Sequence, residues 1–328
     1  MFDWSKQVIL LTGGTGSFGQ AFTQYLLKYH SPTALRIFSR DEFKQYEMQQ
    51  RFQHPCLRFF IGDVRDPERL ARAMDGVTLV VHAAALKQIV ACEYNPNEAI
   101  KTNIIGTMNV LNAALDAQVE RVLGLITDKA VSPINLYGAT KLCMEKLLIQ
   151  GNSYHGKHRT AISCVRYGNV ANSRGSVVPL FRKQKETGTL TITHKDMTRF
   201  WITLEEGVKF VVRTIETMQG GEVFVPKMSS FKIMDLARAI APEAKHRFVG
   251  IRPGEKLHED LINHHEAINV VELADHFIIK PGNVFWTKDK RLTAFDGKTV
   301  VADFSYNSKT NPHYLSILDL QKSLEKLF

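Results

Sequence analysis

The first half of the chain alternates short apolar runs with stretches whose apolar residues recur at helical spacing. The apolar runs are rich in β-branched residues and do not alternate with polar positions, which is typical of parallel strands buried on both faces. The predicted strands are 8–12, 35–39, 57–61, 79–83, 122–126 and 161–166. The predicted helices between them are 18–29, 40–50, 67–74, 97–117 and 139–150. This order predicts an α/β fold with a doubly wound parallel sheet, the Rossmann arrangement.

The regular alternation ends after Gly168. Segments rich in Gly, Ser, Asn and Pro then separate shorter elements, at 169–179, 220–231 and 250–254. We therefore expect residues 1–168 to form a first domain and residues 169–328 to form mainly a smaller lobe over the carboxyl ends of the strands. A later strand near 222–226 is expected to return to the sheet of the first domain.

Composition narrows the class of protein. Hydrophobic residues make up 44% and charged residues 23% of the 328 residues, as in globular proteins. The net charge is +9, but Lys and Arg are spread along the chain without a nucleic-acid-binding motif. We therefore expect no nucleic-acid partner, and a phosphorylated small ligand accounts for the basic surplus equally well.

The sequence has no recognisable membrane-spanning run, signal peptide or metal-binding cysteine pattern, and this bears on the expected location and metal content of the protein. No apolar run approaches the roughly 18 residues of a membrane helix, and the first residues do not resemble a signal peptide. We expect a cytoplasmic protein with no membrane partner. Four cysteines, at positions 56, 92, 143 and 164, form no metal-binding spacing, so we expect reduced thiols and no metal.

A glycine-rich loop, TGGTGSFG at residues 12–19, follows the first strand directly and precedes a helix. Glycines there let backbone N–H groups approach a pyrophosphate at the positive end of the helix. An ordinary glycine turn is the alternative. The loop residues expected to bind a dinucleotide are Gly13, Thr15, Gly16, Ser17, Phe18 and Gly19.

The end of the second strand bears on the choice between NAD and NADP. Arg40 and Lys44 supply positive charge and Ser39 a hydroxyl, which favours the 2′-phosphate of NADP. Asp41 argues for the ribose hydroxyls of NAD, or is simply part of a solvated helix start. We predict NADP. Further cofactor contacts are expected after the third and fourth strands, at Asp63, Val64, Ala83 and Ala84.

Tyr137 and Lys141 are four residues apart and therefore lie on one helical face. A nearby ammonium lowers the pKa of a phenol, so the tyrosine can take a hydroxyl proton while a hydride leaves the same carbon. Asn103, upstream on a helix, is a possible supporting group, and it is expected to contact the cofactor, as are Tyr137 and Lys141. A surface pair without a catalytic role is the alternative.

The triplet Thr127-Asp128-Lys129 follows a predicted strand at the edge where ligands bind in this fold. An acid beside a base suits an elimination, in which one group takes a proton from carbon and the other protonates a departing hydroxyl. A buried lysine can lose its proton near neutral pH and act as the base. A self-neutralising pair in a loop remains the alternative.

Segments along nearly the whole chain resemble the inverting UDP-N-acetylglucosamine 4,6-dehydratases, extended short-chain dehydrogenases/reductases that open the bacterial pseudaminic acid pathway. The matching segments are LTGGTGSFG, FSRDEFKQYEM, RFFIGDVRD, HAAALKQ, NPNEAIKTNIIGT, ITDKAVSPINLYGATKLCMEK, VRYGNV, SRGSVVP, MTRFWITLEEG, GGEVFVPK and GIRPGEKLHE. The Thr-Asp-Lys triplet is the most specific, since retaining relatives usually have Glu where Lys129 stands. The chain departs from the family at Gln88-Ile89-Val90 and at Asn172, which bear on amino-sugar selectivity.

The resemblance implies roles for individual residues. Tyr137, helped by Lys141 and Thr127, would assist oxidation at sugar C4, Lys129 would remove the C5 proton, and Asp128 would protonate the C6 hydroxyl. The resemblance also implies that Lys87 and Asn169 contact the sugar and the cofactor. Arg199 and Arg252 would bind the diphosphate, and Glu255 would contact the uridine ribose. Surface salt bridges are the alternative for both arginines. The family also implies a homo-oligomer.

Two other functions stay open at this stage. One is a related UDP-sugar 4,6-dehydratase of capsule or O-antigen synthesis. The other is a catalytically silent NADP-sensing regulator on the same fold, although such proteins tend to lose the tyrosine or lysine that this chain retains.

Overall fold

A computed structural model describes residues 2–154, 159–173, 175–282 and 297–327. Its strands, in chain order, are β1 (Val8–Thr12), β2 (Ala34–Ser39), β3 (Leu57–Ile61), β4 (Leu79–His82), β5 (Arg121–Thr127), β6 (Ala161–Tyr167), β7 (Asn169–Val170), β8 (Thr189–Ile192), β9 (Thr198–Ile202), β10 (Val223–Pro226), β11 (Ser229–Lys232), β12 (Lys245–Phe248), β13 (Asp260–Ile262), β14 (Val270–Glu272), β15 (His276–Ile279), β16 (Lys298–Thr299) and β17 (Tyr306–Asn307).

The helices lie between and beyond these strands. In chain order they are α1 (Ser17–Tyr29), α2 (Glu42–Arg51), α3 (Pro67–Met74), α4 (Ile89–Tyr94), α5 (Pro96–Ile100), α6 (Gly106–Asp116), α7 (Leu136–Gly151), α8 (Val177–Lys185), α9 (Leu204–Thr217), α10 (Ile233–Ile240) and α11 (Ile317–Glu325). Short 3₁₀ segments occupy Trp4–Lys6, Asp128–Ala130 and His264–Asn269, and a π-helical turn occupies Lys101–Ile105.

The largest sheet confirms the predicted fold class. Its order is β16-β14-β15-β10-β6-β5-β4-β1-β2-β3, and the strands from β10 to β3 are all parallel. The direction of winding reverses between β1 and β4, where a crevice opens outside the carboxyl ends of the strands. Ligands bind at this crevice in doubly wound folds.

Two helical expectations need correction, and both concern the crevice. The helix expected over 97–117 is broken into α5, the π-helical turn and α6. The helix expected from residue 139 begins at Leu136, because the Asn135 side chain caps it by accepting a hydrogen bond from the backbone N–H of Gly138 at 2.7 Å. Tyr137 therefore lies in the first turn of α7.

The second half of the chain contributes to the large sheet as well as to a lobe of its own. β10 pairs parallel with β6, and the antiparallel strands β15, β14 and β16 continue the sheet beyond it. The antiparallel extension is absent from the sequence-based prediction. A second apolar cluster, which includes Phe181, Trp201 and Phe231, packs α8, α10 and α11 around β9 and β11.

None of the helices that the structure describes is long and apolar enough to cross a membrane.

Candidate active site

A cavity of about 1130 Å³ lies at the carboxyl edge of the parallel strands, between the sheet and the second apolar cluster. It extends from the glycine-rich loop, past Thr127 and Tyr137, to Arg252 and Glu255. All of the site residues predicted from the sequence line this cavity, with the exceptions of Asp128 and Asn103. Residues far apart in the sequence thus meet in one continuous space.

The glycine-rich loop has the geometry of a phosphate cradle. Gly13 has φ +66°, and a Cβ there would lie 2.9 Å from Cα of Ala84. A Cβ on Gly19 would lie 2.2 Å from the carbonyl oxygen of Gly14, so only glycine lets α1 approach β1 this closely. Gly16 precedes the first turn of α1 and has no side chain to cap it, which leaves the positive helix end for an anion.

The region at the ends of β2 and β3 is the cofactor rim, comprising Ser39, Arg40, Asp41, Lys44 and Asp63. Asp41 caps α2 by accepting from the N–H of Lys44 at 3.0 Å, and it pairs with the Lys44 ammonium. The Lys44 bonds lower the pKa of the Asp41 carboxyl. Asp41 is therefore engaged at the helix start, whereas Arg40 has only a 3.7 Å ion pair with Asp63 and is half exposed. The cofactor rim thus presents one exposed guanidinium and one carboxylate that is already used to cap α2.

Two side chains that sequence reasoning missed stabilise the cofactor rim. Gln45 donates from Nε2 to the carbonyl oxygen and the hydroxyl of Ser39, both at 3.0 Å, and to the carbonyl of Phe60 at 2.9 Å. Arg65 binds the Asp63 carboxylate at 2.6 Å. Burial opposes ionisation of Asp63, but the bonds from Arg65 and the charge of Arg40 lower its pKa overall.

Asn103 does not line the cavity, so the expectation of a direct cofactor contact is corrected. It is fully buried in the π-helical turn, accepts from the N–H of Leu86 at 2.8 Å and donates to the Leu86 carbonyl at 2.9 Å. It also donates to the Thr140 hydroxyl at 3.0 Å. Asn103 thus fixes the loop after β4 to α7 and positions the neighbouring Lys87.

A buried histidine, also missed from the sequence, supports the same loop. His82 bridges the hydroxyls of Thr12, 2.7 Å from Nδ1, and Thr107, 3.0 Å from Nε2. Because Thr107 donates its proton to the carbonyl of Asn103, His82 carries its proton on Nε2 and accepts from Thr12. Burial lowers the pKa of His82 to about 3. The imidazole is therefore neutral at physiological pH.

Tyr137 and Lys141 lie on the cavity side of α7, as predicted, but the ammonium does not contact the phenol. Lys141 donates to the carbonyl of Leu125 at 2.5 Å and lies 3.0 Å from the sulfur of Met144. Burial lowers the pKa of Lys141 to about 8. Burial also raises the pKa of Tyr137 to about 12, and the cation that opposes this rise is Lys129. In this structure the positive charge that favours ionisation of the Tyr137 phenol is therefore that of Lys129 and not, as expected, that of Lys141.

Asp128 and Lys129 form a hydrogen-bonded pair at the end of β5. The Lys129 ammonium lies 3.0 Å from Oδ1 of Asp128, and the Thr127 hydroxyl donates to the same oxygen at 2.8 Å. Asp128 is fully buried, and its Oδ2 has no partner. Burial lowers the pKa of Lys129, but Asp128 and a second carboxylate, Glu259, raise it above its ordinary value overall. Lys129 is therefore charged in this state and must release its proton before it can act as the base.

Arg199 lines the cavity, but most of its donors are used within the protein. Nη1 donates to the carbonyls of Thr198 at 2.7 Å and Leu257 at 3.0 Å, and Nη2 donates to the carbonyl of Lys256 at 2.8 Å. Its side chain is only 7% exposed and forms ion pairs with Glu255 at 3.6 Å and Glu259 at 3.8 Å. These contacts favour the alternative of a structural salt bridge over a diphosphate ligand.

The remaining predicted ligands present free polar groups to the cavity. Arg252 and Lys87 are both exposed, and desolvation and the charge of Lys129 lower the pKa of Lys87. Buried oxygen atoms without a hydrogen-bond partner belong to Asn169 and Glu255, and also to Thr102 and Ser176. Unpartnered buried oxygens on a cavity wall are suited to a polar ligand.

The loop that carries Arg252 and Glu255 is attached to the acid–base region. Asn135 donates to the carbonyl of Gly254 at 2.7 Å, and Lys256 donates to the carbonyl of Val131 at 2.5 Å. Both bonds connect residues that are distant in sequence, and no local pattern indicates them. A ligand held by this loop would therefore lie in a fixed position relative to Asp128 and Tyr137.

This cavity can hold a nicotinamide dinucleotide against the glycine-rich loop and present a substrate to Tyr137 and Lys129, with Asp128 buried behind Lys129. A site of this kind, on a doubly wound sheet, defines a dinucleotide-dependent enzyme of the short-chain dehydrogenase/reductase type.

The comparison with known proteins agrees with this class. The family model described as "Polysaccharide biosynthesis protein" matches residues 9–281, and the chain belongs to this family. It is 48% identical over 323 residues to a Campylobacter jejuni protein named UDP-N-acetylglucosamine 4,6-dehydratase (inverting), which covers 97% of each chain. It is 44% identical over 281 residues to a Rickettsia rickettsii protein named UDP-glucose 4-epimerase, covering 83% of this chain and 82% of that one.

Among solved structures, the X-ray structure of Pen from Bacillus thuringiensis superposes with a TM-score of 0.91. The two sequences are 35% identical, and the match covers 100% of this chain and 99% of Pen. The similarity therefore extends through the carboxyl-terminal lobe as well as the dinucleotide-binding sheet.

Proposed function

We propose that the protein is an NADP-dependent UDP-N-acetylglucosamine 4,6-dehydratase that inverts C5 and yields UDP-2-acetamido-2,6-dideoxy-β-L-arabino-hex-4-ulose. The observation that carries the proposal is the hydrogen-bonded Asp128–Lys129 pair beside Tyr137 at the end of β5. A simple dehydrogenase needs only the tyrosine, whereas loss of water from C5 and C6 needs both an acid and a base. The name of the Campylobacter relative supports the same activity.

The glycine-rich loop would hold the dinucleotide, which would supply the hydride acceptor for C4 and the hydride donor for C6, so that no net oxidation would occur. The residues of the chain move the protons. Tyr137 accepts the C4 hydroxyl proton as a phenolate, a form that burial disfavours and that the Lys129 charge and the Thr127 hydroxyl beside it stabilise. Lys129 takes the C5 proton, which the new C4 ketone has acidified. Asp128 protonates the C6 hydroxyl, and the C–O bond breaks to release water.

The resting charges of Asp128 and Lys129 are compatible with the elimination step. The pair holds one exchangeable proton, located on Lys129 in this structure. Transfer of that proton along the 3.0 Å hydrogen bond gives a protonated Asp128 and a neutral Lys129 without any change in the number of protons. The acid and the base that the elimination requires are therefore produced together. The unpartnered Oδ2 of Asp128 is the carboxyl oxygen left for other contacts.

The ligands are assigned as follows in the proposal. The glycine-rich loop holds the pyrophosphate of NADP, and Arg40 and Lys44 meet the 2′-phosphate at the cofactor rim. Arg252, Glu255 and Asn169 hold the UDP-sugar, and Lys87 lies between sugar and cofactor. Residues 1–168 with the strand at 222–226 form the NADP-binding domain, and residues 169–328 form mainly the substrate-binding lobe. The proposal also includes a cytoplasmic homo-oligomer that supplies pseudaminic acid synthesis.

The test is incubation of the purified protein with UDP-N-acetylglucosamine in deuterated water, followed at once by NMR. We expect a 4-keto-6-deoxy sugar of L-arabino configuration with solvent deuterium at C5, and with the C6 hydride derived from C4 of the same sugar. A D-xylo product would show a retaining dehydratase of the capsule or O-antigen type instead. Binding of NADP without turnover of any UDP-sugar would indicate the regulatory alternative.

A UDP-sugar 4-epimerase is a second candidate, favoured by the name of the Rickettsia relative at 44% identity. An epimerase returns the hydride to C4 and releases no water, so it has no use for Asp128 and Lys129 as an acid–base pair. Incubation with UDP-glucose distinguishes the two functions. Formation of UDP-galactose at a rate above that of dehydration would favour the epimerase.

A further inference from the structure

Glu259 is a buried carboxylate that the proposed reaction does not yet use. It directly precedes β13, and its side chain is 2% exposed. Its backbone is fixed on both sides by Ser308, whose hydroxyl accepts from the N–H of Glu259 at 2.9 Å and whose N–H donates to the Glu259 carbonyl at 2.8 Å. The side chain therefore has a defined direction.

That direction is toward the acid–base pair. One carboxylate oxygen, Oε1, lies 3.5 Å from Nζ of Lys129 and 3.8 Å from Nε of Arg199. The other, Oε2, is buried without a hydrogen-bond partner. Five residues of alternating charge thus form a row from the acid–base pair to the loop that carries Arg252: Asp128, Lys129, Glu259, Arg199 and Glu255. We call it the charge row.

Burying a carboxylate destabilises the folded protein unless nearby opposite charges compensate for its desolvation. A buried ion pair can often be replaced by apolar residues without loss of stability, so packing alone does not account for Glu259. Its effect on Lys129 is specific, because few groups face that ammonium. Asp128 and Tyr137 lie on one side, and Arg199 and Lys87 add positive charge. Without Glu259, Lys129 would have one carboxylate and two cations as its charged neighbours.

We propose that Glu259 is a positioning residue of the acid–base centre, whose carboxylate holds the Lys129 ammonium against Asp128 and keeps the exchangeable proton on this pair. The proposal rests on the proposed function for its catalytic meaning, but the coupling between Glu259 and Lys129 does not depend on it. Arg199 in turn fixes Glu259 and joins it to Glu255 through the charge row. The charge row thus connects Glu255, a proposed ligand of the UDP-sugar, to the pair that holds the exchangeable proton.

The first experiment measures the coupling without substrate. Lysine labelled at Cε reports the titration of Lys129 by NMR, with the resonance assigned from a Lys129→Arg variant. In Glu259→Gln we expect the pKa of Lys129 to fall by about one unit or more, as for loss of an opposite charge within 4–6 Å. Glu259→Asp, whose carboxylate is retracted by one methylene, should give a smaller fall.

Glu266→Gln is the matched control. Glu266 is another carboxylate of the same half of the chain, paired with the buried Arg166 at 2.9 Å, and it does not face Lys129. This variant should lose stability but leave the titration of Lys129 in place. If Glu259→Gln does not fold, Glu259→Asp decides alone. A Lys129 titration unchanged from wild type in the folded Glu259 variant would overturn the proposal.

The second experiment separates this inference from the proposed function. If the chain is a dehydratase, the alkaline limb of kcat should move to lower pH in Glu259→Gln and less so in Glu259→Asp, with KM for the UDP-sugar less affected. A role in folding alone would lower kcat without moving the limb, and that result would overturn the proposal. A shifted Lys129 titration in a protein without dehydratase activity would support the coupling and reject the function.

Discussion

The cofactor rim and the acid–base centre both contain several charged side chains, but those of the rim are exposed and those of the acid–base centre are buried. At the rim, the side chains of Arg40 and Lys44 are 53% and 40% exposed, and each pairs with a single carboxylate. In the acid–base centre, Asp128 and Glu259 are 0% and 2% exposed, and Lys129 lies between them. Arg199 lies on the other side of Glu259, between it and Glu255.

The difference determines how each region responds to substitution. Exposed ion pairs contribute roughly 0–1 kcal/mol, because water already screens the charges. Loss of one member of a buried pair costs about 3–5 kcal/mol, since it leaves an uncompensated charge in the interior. Rim residues should therefore act singly and weakly, whereas residues of the acid–base centre should act as a unit. The following predictions test this contrast.

The largest effect is expected at Asp128. Asp128→Asn retains the shape but removes the proton donor for the C6 hydroxyl, so turnover should fall by about 10²–10⁴-fold. Asp41→Asn is the same change at the rim, and because Asn also caps helices well, turnover should fall by no more than about fivefold. Product formation at saturating UDP-sugar measures both. Equal losses would remove the contrast between the regions.

The two predicted diphosphate ligands, Arg199 and Arg252, should separate next. Arg199→Ala strips Glu255 and Glu259 of a buried partner, and the free energy of unfolding should fall by about 3–5 kcal/mol. Arg252→Ala, at an exposed position, should change it by less than about 0.5 kcal/mol while raising KM more than it lowers kcat. Urea unfolding and steady-state kinetics of both variants provide the measurements. A marked loss of stability in Arg252→Ala would contradict the assignment of Arg252 as an exposed ligand of the UDP-sugar.

His82 gives a pH dependence that comes from burial alone. Its folded pKa is about 3, against an ordinary value of 6.5. As pH falls below 6.5 the unfolded chain binds a proton that the folded chain does not, so stability declines toward pH 3 by about 1 kcal/mol per unit. His82→Gln should be less stable at pH 7 but should lose this part of the slope. Parallel urea-unfolding curves for both proteins at pH 7, 6 and 5 would exclude a role for His82.

The smallest effect is expected for Arg40. Arg40→Ala should weaken NADP binding by about 1 kcal/mol, because the guanidinium is half exposed, and should leave NAD binding nearly unchanged. Titration with each cofactor at two salt concentrations measures the difference, which should shrink at high salt. An equal loss for NAD and NADP would take Arg40 out of the 2′-phosphate site.

The parts of the fold predicted well from sequence are those with local signals. β1, β3 and α3 have the predicted bounds, because predominantly apolar runs mark the two strands and a capped start marks the helix. The antiparallel strands β14 to β16 were missed, since each has only two to four residues and is defined by its pairing. The break in the helix over 97–117 was missed for a related reason: Asn103 bonds to Leu86, which is remote in sequence.

The candidate site divides in the same way. The glycine-rich loop, the Tyr137 motif and the Asp128 pair are contiguous segments, and chemistry alone makes them conspicuous. Glu259 lies in a quoted segment, GIRPGEKLHE, but its meaning depends on proximity to Lys129 in space. The resting charge of Lys129 could not be inferred for the same reason, because sequence does not show that two carboxylates flank its ammonium.

The pairing of β10 with β6 has a consequence for folding in the cell. β6 ends at Tyr167, but the strand that covers its free edge begins only at Val223, after α8 and α9 have been synthesised. Until then the nascent chain presents an apolar strand with unsatisfied backbone groups, which is a template for aggregation. A gene fragment that stops at residue 168 would make this transient exposure permanent.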